Sequence, residues 1–471
     1  MRRREFLSQS LIAAAASGAL GSPATRSRGT IQTRGVAGAD PLDLLEVAKS
    51  YVHLAEGTRS RSQLWGRLGG SEAERESARL FAKQLKPYAL NVELEPFAFS
   101  AFRATRWSLR LQGSTDLTSA VPTPFDARFP DGPVRAPLQL ISTDSDWKGV
   151  RGRFAFVEAT MQASVYRNSV REGNLYKRAV EADAAGLVFS LPMKPGRWRA
   201  VAPIDKAYAV RDEVYPDKRR PIPCFVVDAV DGASLASARS VLLDARIEYE
   251  PRKQQEALNV VGYLSGLHRS RVVIFNHLDS FFSGANDNAS GIATTIGLAH
   301  RISMLPTEKR LADFYFVGLA AHHDGGEGMR AFRARDPKRY ASLTQAILVE
   351  HTDALGGSEA KAAGWPESFN DRRQAYLGSK GWPEIKAALA DLVKRSRVMT
   401  ADPQMTDACI GDLLVICGEL PSFCLIQGPP YYHTDHDTID KISRKGIAAV
   451  VDFHLRLLQV IGALATGSVD R

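Results

Sequence analysis

The sequence predicts an α/β fold: a mixed, mainly parallel sheet flanked by helices and interrupted by a β-rich insertion. Three observations carry this reading. Four short apolar runs, Val272–Phe275, Phe314–Leu319, Ala346–Val349 and Phe423–Ile426, lack polar alternation and read as strands buried on both faces. Between and after them, apolar residues recur at helical spacing: Ile292, Ile296, Ala299 and Ile302; Ile385, Leu389 and Leu392; Val450, Phe453, Leu457 and Ile461. Across residues 118–254 the texture changes to brief β-like runs separated by proline and glycine.

Composition bounds the alternatives. With 471 residues the chain is too long for one compact core. A content of 44% hydrophobic and 24% charged residues excludes a largely disordered chain. No stretch reaches the roughly 18 apolar residues of a membrane span. Four cysteines are too few for a disulfide scaffold. The formal charge of +9 is dispersed in short runs such as Lys218-Arg219-Arg220, without the basic stripe of a nucleic-acid binder.

The amino terminus reads Met1-Arg2-Arg3-Arg4-Glu5-Phe6-Leu7 before an alanine-rich run from Leu11 to Leu20. A basic head and a short apolar segment describe a signal peptide. The Arg3-Arg4-Glu5-Phe6-Leu7 string resembles a twin-arginine export signal; an ordinary secretory signal is the alternative. Cleavage after Ala24 assigns residues 1–24 to the signal, and Ala37-Gly38-Ala39 offers a second site. Removing 1–24 takes away three arginines and one glutamate and leaves +7. The chain is then expected to be periplasmic or secreted.

Residues 25–39 read as a linker and 40–117 as the first part of the α/β domain. Ser71 and Glu74 form a capping-box pattern ahead of a helix carrying Leu80, Phe81 and Leu85. Residues 89–98 alternate as a strand. The insertion, 118–254, holds β-like runs at Gly152 to Val157, Gly186 to Phe189 and Cys224 to Val227, with a helix around Tyr176–Ala185. The α/β domain resumes at 255 and runs to 467.

Eight of the ten histidines lie beyond residue 270, several at the carboxyl ends of the expected strands, where ligands bind in open α/β sheets. His277 ends one strand, and Asp287 follows in the loop Gly284-Ala285-Asn286-Asp287-Asn288-Ala289-Ser290-Gly291. Imidazole and carboxylate placed this way converge on one ion, which zinc accepts. Asp279 is placed to orient His277 by a hydrogen bond. Tyr432-His433-Thr434-Asp435-His436-Asp437-Thr438 follows the last strand.

Together these motifs resemble peptidase family M28, the dinuclear zinc aminopeptidases and carboxypeptidases. The resemblance covers most of the chain after its signal and implies a zinc exopeptidase-like fold. Lys148-Gly149-Val150 to Val157, Ala185-Gly186, Ile222-Pro223 and Asp231-Gly232 resemble the protease-associated (PA) domain inserted in many such enzymes. Asn259-Val260-Val261-Gly262-Tyr263-Leu264-Ser265-Gly266 looks like the return to the catalytic domain. The resemblance implies His277 as ligand of a first zinc, Asp287 as a bridge between two, His433 as ligand of the second and Asp437 as a supporting carboxylate. It also implies a cis Asp287–Asn288 peptide bond. The expected activity is hydrolysis of a peptide or small amide, metal-bound hydroxide attacking the carbonyl.

One departure is plain. Where the family has adjacent glutamates, a general base and a ligand, the chain reads Ala320-Ala321-His322-His323-Asp324-Gly325, while Gly328-Met329-Arg330-Ala331-Phe332 keeps the family spacing. His323 is the expected ligand and His322 the expected base, with Asp324 or Glu327 as substitutes if the loop shifts. Loss of catalysis with retained metal or ligand binding is the other reading. Glu350 in Ala346-Ile347-Leu348-Val349-Glu350-His351-Thr352-Asp353 best fits the first-metal carboxylate; Asp353 fits part of the pattern, and His351 is an extra ligand or a cleft residue. Two dications against Asp287 and Glu350 then leave +2. Other first-row metals remain open beside zinc. Cys409, Cys417 and Cys424 offer one disulfide and one thiol, or buried free thiols. Tyr431 or Tyr432, after Gly428-Pro429-Pro430, is placed to donate to a developing oxyanion, and Tyr432 is the chosen substrate contact.

Overall fold

The computed structural model describes residues 42–468, apart from 90, 102–103, 114–115, 124–131, 159–174, 177, 191–196, 202–221, 239–240, 250–252, 353–372, 378–382, 396–404, 407–408, 428 and 430. The expected signal, the linker, Lys218-Arg219-Arg220 and Asp353 fall outside them.

Each expected buried strand forms. The main sheet has eight strands in the order Asn91–Ala101, Lys253–Leu264, Asp313–Leu319, Arg271–His277, Gln345–Leu348, Ser422–Gln427, Arg373–Leu377 and Met405–Thr406. The four from Asp313–Leu319 to Ser422–Gln427 are mutually parallel, while Lys253–Leu264 and Arg373–Leu377 join them antiparallel. In register, His277 stands beside Leu319, and Phe275 beside Leu348. The parallel strands therefore end together, and every loop that follows them starts from one edge.

Period-two alternation divides the buried side chains between two layers. Ile274, Phe314, Phe316, Ile347, Phe423 and Leu425 pack with the helices Leu44–Glu56, Glu72–Leu85, Gly291–Ser303 and Arg444–Val460. Val273, Phe275, Val317, Leu319, Leu348 and Ile426 face the other way, onto Met329 and Phe332 of helix Glu327–Arg335 and Leu413 and Ile416 of the 3₁₀ turn Gly411–Ile416. With both faces covered, continuous apolar runs are the expected strand signature.

One local expectation is half met. Ser71 Oγ accepts from the Glu74 amide at 3.2 Å, but Glu74 does not return the bond. Its carboxylate accepts from the Gly70 amide and, at 2.6 Å, from the Ala321 amide. The tertiary donors win because Glu74 is fully buried and the Ala321 N–H would otherwise have no partner.

The second sheet has seven strands in the order Ala104–Leu111, Leu242–Tyr249, Val134–Leu140, Phe154–Glu158, Gly186–Ser190, Cys224–Val227 and Val121–Pro122. Helical residues lie between 175 and 181, near the expected helix. The sheet starts upstream of residue 118, because Trp107, Leu109 and Leu111 alternate into its core. Both sheets belong to one compact unit, Leu42–Arg471. Trp65, between helices Leu44–Glu56 and Glu72–Leu85, and Phe281 and Phe282, in the loop after Arg271–His277, pack into the core of the second.

Candidate metal centre

Four loops at the carboxyl edge carry the chemistry. His277 closes its strand; Asp287 lies in the next loop; His322 and His323 follow Leu319; Glu350 and His351 follow Leu348. His433 enters from the loop after Ser422–Gln427. Ala321, His351 and His433 adopt left-handed backbone, at φ 54°, 46° and 59°, which costs non-glycine residues about 1–3 kcal/mol each and is kept where surroundings impose it. The Asp287–Asn288 peptide bond is cis.

Asp287 is the hinge of the geometry. Its Oδ1 lies 3.1 Å from His277 Nε2 and 2.7 Å from His351 Nε2. Its Oδ2 lies 3.0 Å from His433 Nε2 and 3.5 Å from His323 Nε2. The two Nε2 atoms on that second side are 3.0 Å apart. All these residues are buried or nearly so. Among the described residues, His277 Nε2, Asp287 Oδ1 and His351 Nε2 make no hydrogen bond of good geometry, a costly arrangement unless a cation satisfies them. Ligand atoms at about 2.0–2.2 Å from a tetrahedral ion stand about 3.3–3.6 Å apart. The residues therefore fit a metal on each side of Asp287, and His277–Asp287–His351 and Asp287–His323–His433 are both compact donor groups.

The first group differs from the expectation. His351, rather than Glu350, meets Asp287, because the left-handed turn at His351 swings its ring inward. Glu350 stands in another donor group, with His277 and His322. Its carboxylate lies so close to Gly411 that a Cβ there would come within 2.4 Å of Oε1. Neither Asp324 nor Glu327 joins any of these groups.

Supporting contacts set the ring planes. The Asp279 carbonyl oxygen is 3.1 Å from His277 Nδ1, and its carboxylate is 2.7 Å from His323 Nδ1. The same carboxylate accepts from the His323 amide at 2.9 Å. Asp437 supports the loop rather than a histidine: it accepts from the Asn286 and Asp287 amides at 2.8 and 3.0 Å. Burial pushes its pKa up to about 7, with the Asp287 charge adding to the shift against its amide hydrogen bonds. Asp279 and Asp287 are held well below the carboxylate range: burial opposes this, but the surrounding histidines outweigh it. For His433 burial dominates and lowers the pKa to about 3.

His322 stands apart from the Asp287 contacts. Its ring stacks on His277 at 4.2 Å and 15°. Nδ1 lies 3.0 Å from Asp412 Oδ2. Burial disfavours its protonation, but Asp412, then Glu350 and Asp279, raise its pKa well above 6.5. Cations on either side of Asp287 would act in the opposite direction.

Aromatic rings wall the centre. Phe281 lies 4.5 Å from His323 and 5.1 Å from His433. Tyr432 is 5% exposed, stacks on His433 at 3.7 Å and lies 4.7 Å from His351. Its ring thus braces one imidazole on each side of Asp287. A segment between the second sheet's strands Gly186–Ser190 and Cys224–Val227 holds the same loop: the Val201 amide donates to the His433 carbonyl at 2.9 Å, and the Arg199 amide to Asp435 Oδ1 at 3.0 Å. Beside His323 and Asp324 lies a cleft of about 250 Å³, lined also by Leu64, Trp65, Leu68 and Phe281.

Sequence reasoning missed Arg67 and Asp412. Arg67 is fully buried and donates from Nε to the Leu278 carbonyl and from Nη1 to the Tyr51 carbonyl, both at 2.9 Å. Neither belongs to a motif. The nearest signals are glycines, Gly69-Gly70 and Gly411. Cys409 and Cys417 form the disulfide, and Cys224 and Cys424 are buried thiols.

Residues 259–358 match the model of peptidase family M28. Over that stretch the chain is similar to the M28 metallopeptidases. Its fold resembles that of the peptidase M28 precursor from Shewanella amazonensis (18% identity, covering 90% of this chain and 97% of that one, TM-score 0.65). The zinc aminopeptidase from Bacillus subtilis is similar too (16%, 89% and 95%, TM-score 0.62), as is an aminopeptidase from Aneurinibacillus (17%, 89% and 93%, TM-score 0.58). Comparison with curated proteins finds no match. The donor groups and the match to a peptidase family together support a metal cofactor and peptide substrates. Among the described residues no helix is long and apolar enough to cross a membrane.

Proposed function

We propose that the chain is an exported hydrolase of peptide or other small amide bonds that binds two zinc ions, one on each side of Asp287. The supporting observation is the pairing of each Asp287 oxygen with two imidazole Nε2 atoms. His277 and His351 would hold one ion with Oδ1, and His323 and His433 the other with Oδ2. Bound there, the ions would polarise the scissile carbonyl and lower the pKa of a water to about 7.

Two dications against the single Asp287 carboxylate leave +3. Asp279, Glu350 and Asp437 offset part of that charge without being ligands, and an imidazole-rich set also suits other first-row metals. His322 takes the proton of the attacking water and hands it to the leaving amine. The cleft lined by Trp65, Leu68 and Phe281 receives the apolar part of the substrate, and Phe281 and Tyr432 keep bulk water off the imidazoles. The amino-terminal signal, read as twin-arginine, and the disulfide both support export. The seven-stranded sheet is read as a PA-like insertion that braces the His433 loop.

Replacement of both glutamates by histidine favours one other reading, a metal-binding protein without hydrolysis. Metal content measured together with turnover of a peptide and acyl-amide panel separates the two. Two zinc equivalents with turnover support the proposal; a metal-replete protein that cleaves nothing supports the second reading.

A further inference from the structure

We propose that Asp412 is a positioning residue that holds His322 in one tautomer and one ring orientation, making an imidazole workable where the family uses a carboxylate base. This rests on the reading of His322 as proton carrier. A carboxylate base needs no tautomer control, since either oxygen can take the proton. A neutral imidazole has one basic nitrogen, and which one it is depends on what the other nitrogen meets.

The geometry places Asp412 at that other nitrogen. Oδ2 is 3.0 Å from His322 Nδ1, with the Asp412 side chain fully buried and that of His322 13% exposed. Among the described residues, neither Asp412 oxygen makes a hydrogen bond of good geometry, and nor does His322 Nδ1. A buried carboxylate without a partner is costly. The 3.0 Å approach to His322 Nδ1 is the contact that can relieve that cost. Stacking on His277 limits the ring to motion in its own plane, so the contact at Nδ1 decides its orientation.

The chain brings Asp412 there by close approach. It sits in the 3₁₀ turn Gly411–Ile416, inside the loop closed by the Cys409–Cys417 disulfide and anchored by buried Leu413 and Ile416. Two glycines permit the fit: Gly411 against the Glu350 carboxylate, and Gly326, whose Cβ would come within 3.2 Å of Asp412 Oδ1.

With Nδ1–H directed at Asp412, Nε2 carries the lone pair. As the water oxygen bonds to the carbonyl carbon, its proton moves to Nε2. As the C–N bond breaks, that proton passes from Nε2 to the departing nitrogen. The Nδ1 proton stays in place between His322 and Asp412 throughout.

The test combines kinetics with ¹⁵N NMR of the zinc-replete full chain, the His322 signal being identified by its loss in His322→Asn. In the wild type, His322 is expected as the Nδ1–H tautomer. In Asp412→Asn, kcat on an aminoacyl anilide is expected to fall roughly 100-fold, with KM within about 2-fold, zinc content unchanged and the tautomer signal shifted. A wild-type His322 protonated on Nε2 alone overturns the proposal, whether or not the variant folds. So does an Asp412→Asn protein with unchanged kcat. If the wild type cleaves no substrate, the hydrolase reading fails, while the tautomer measurement still decides the role of Asp412.

Discussion

The carboxylate of Asp279 lies 2.7 Å from Nδ1 of His323, while the carbonyl oxygen of the same residue lies 3.1 Å from Nδ1 of His277. One residue therefore orients an imidazole on each side of Asp287 and leaves both Nε2 atoms facing its oxygens. Loss of such a partner typically lowers metal affinity about 10–100-fold. Asp279→Ala removes the carboxylate and keeps the carbonyl, so it is expected to weaken the zinc site on the His323 side by that factor and to change the His277 side much less, read by competition with a chromophoric chelator. Unchanged affinity at the His323 side would mean that packing against Phe281 alone orients that ring.

A second prediction concerns the neighbours Glu350 and His351. His351 Nε2 is 2.7 Å from Asp287 Oδ1, whereas the Glu350 carboxylate is wedged against Gly411. His351→Ala should lose one zinc equivalent per chain, and Glu350→Gln should keep both, as measured by metal analysis after dialysis. The reverse pattern would return the ligand role to Glu350.

These two residues also mark where the sequence stopped being informative. His277, Asp287, His323 and His433 were singled out by the resemblance to family M28, and the apolar strand runs put them at or just after strand ends, which meet at one edge. The choice between adjacent Glu350 and His351 depends on a left-handed turn at His351, which no residue type announces. Asp412 and His322 are 90 positions apart and meet only through the packing of the Gly411–Ile416 turn under the sheet. Glu74 was read as a local cap and answers to Ala321 instead. Tyr432 was read as a donor to substrate, and its ring proves to stack on His433. Strand periodicity is local, whereas these contacts are set by tertiary approach.

Arg67 supplies a third prediction. Burial lowers its pKa to about 10 against the pull of Asp279, Asp287 and Asp437, so it is charged at neutral pH. Removing one partner from a buried charge network costs about 3–5 kcal/mol. Arg67→Met is expected to lose stability on that order in urea unfolding of the zinc-free protein. Saturating zinc should recover part of the loss, since the ions then offset the same carboxylates. Equal loss with and without zinc would assign Arg67 to backbone support alone, through Leu278 and Tyr51.

A pH dependence is expected far from the metal centre, at Asp313. Burial works against its ionisation, but the Gly266 amide at 2.9 Å and His268 Nδ1 at 2.7 Å outweigh it, with Arg271 adding charge from 3.6 Å. The carboxyl is held below its usual value. A lowered folded-state pKa means that the stabilisation is fully present above the unfolded value of about 3.9 and is lost as pH falls through the folded one. Asp313→Asn cannot ionise, so it lacks that contribution at every pH. The gap in urea midpoint between wild type and Asp313→Asn should be widest above about pH 5 and close progressively between about pH 4 and pH 2. A gap that stays constant across that range would show that Asp313 stabilises the fold through its hydrogen-bond geometry and not through its charge.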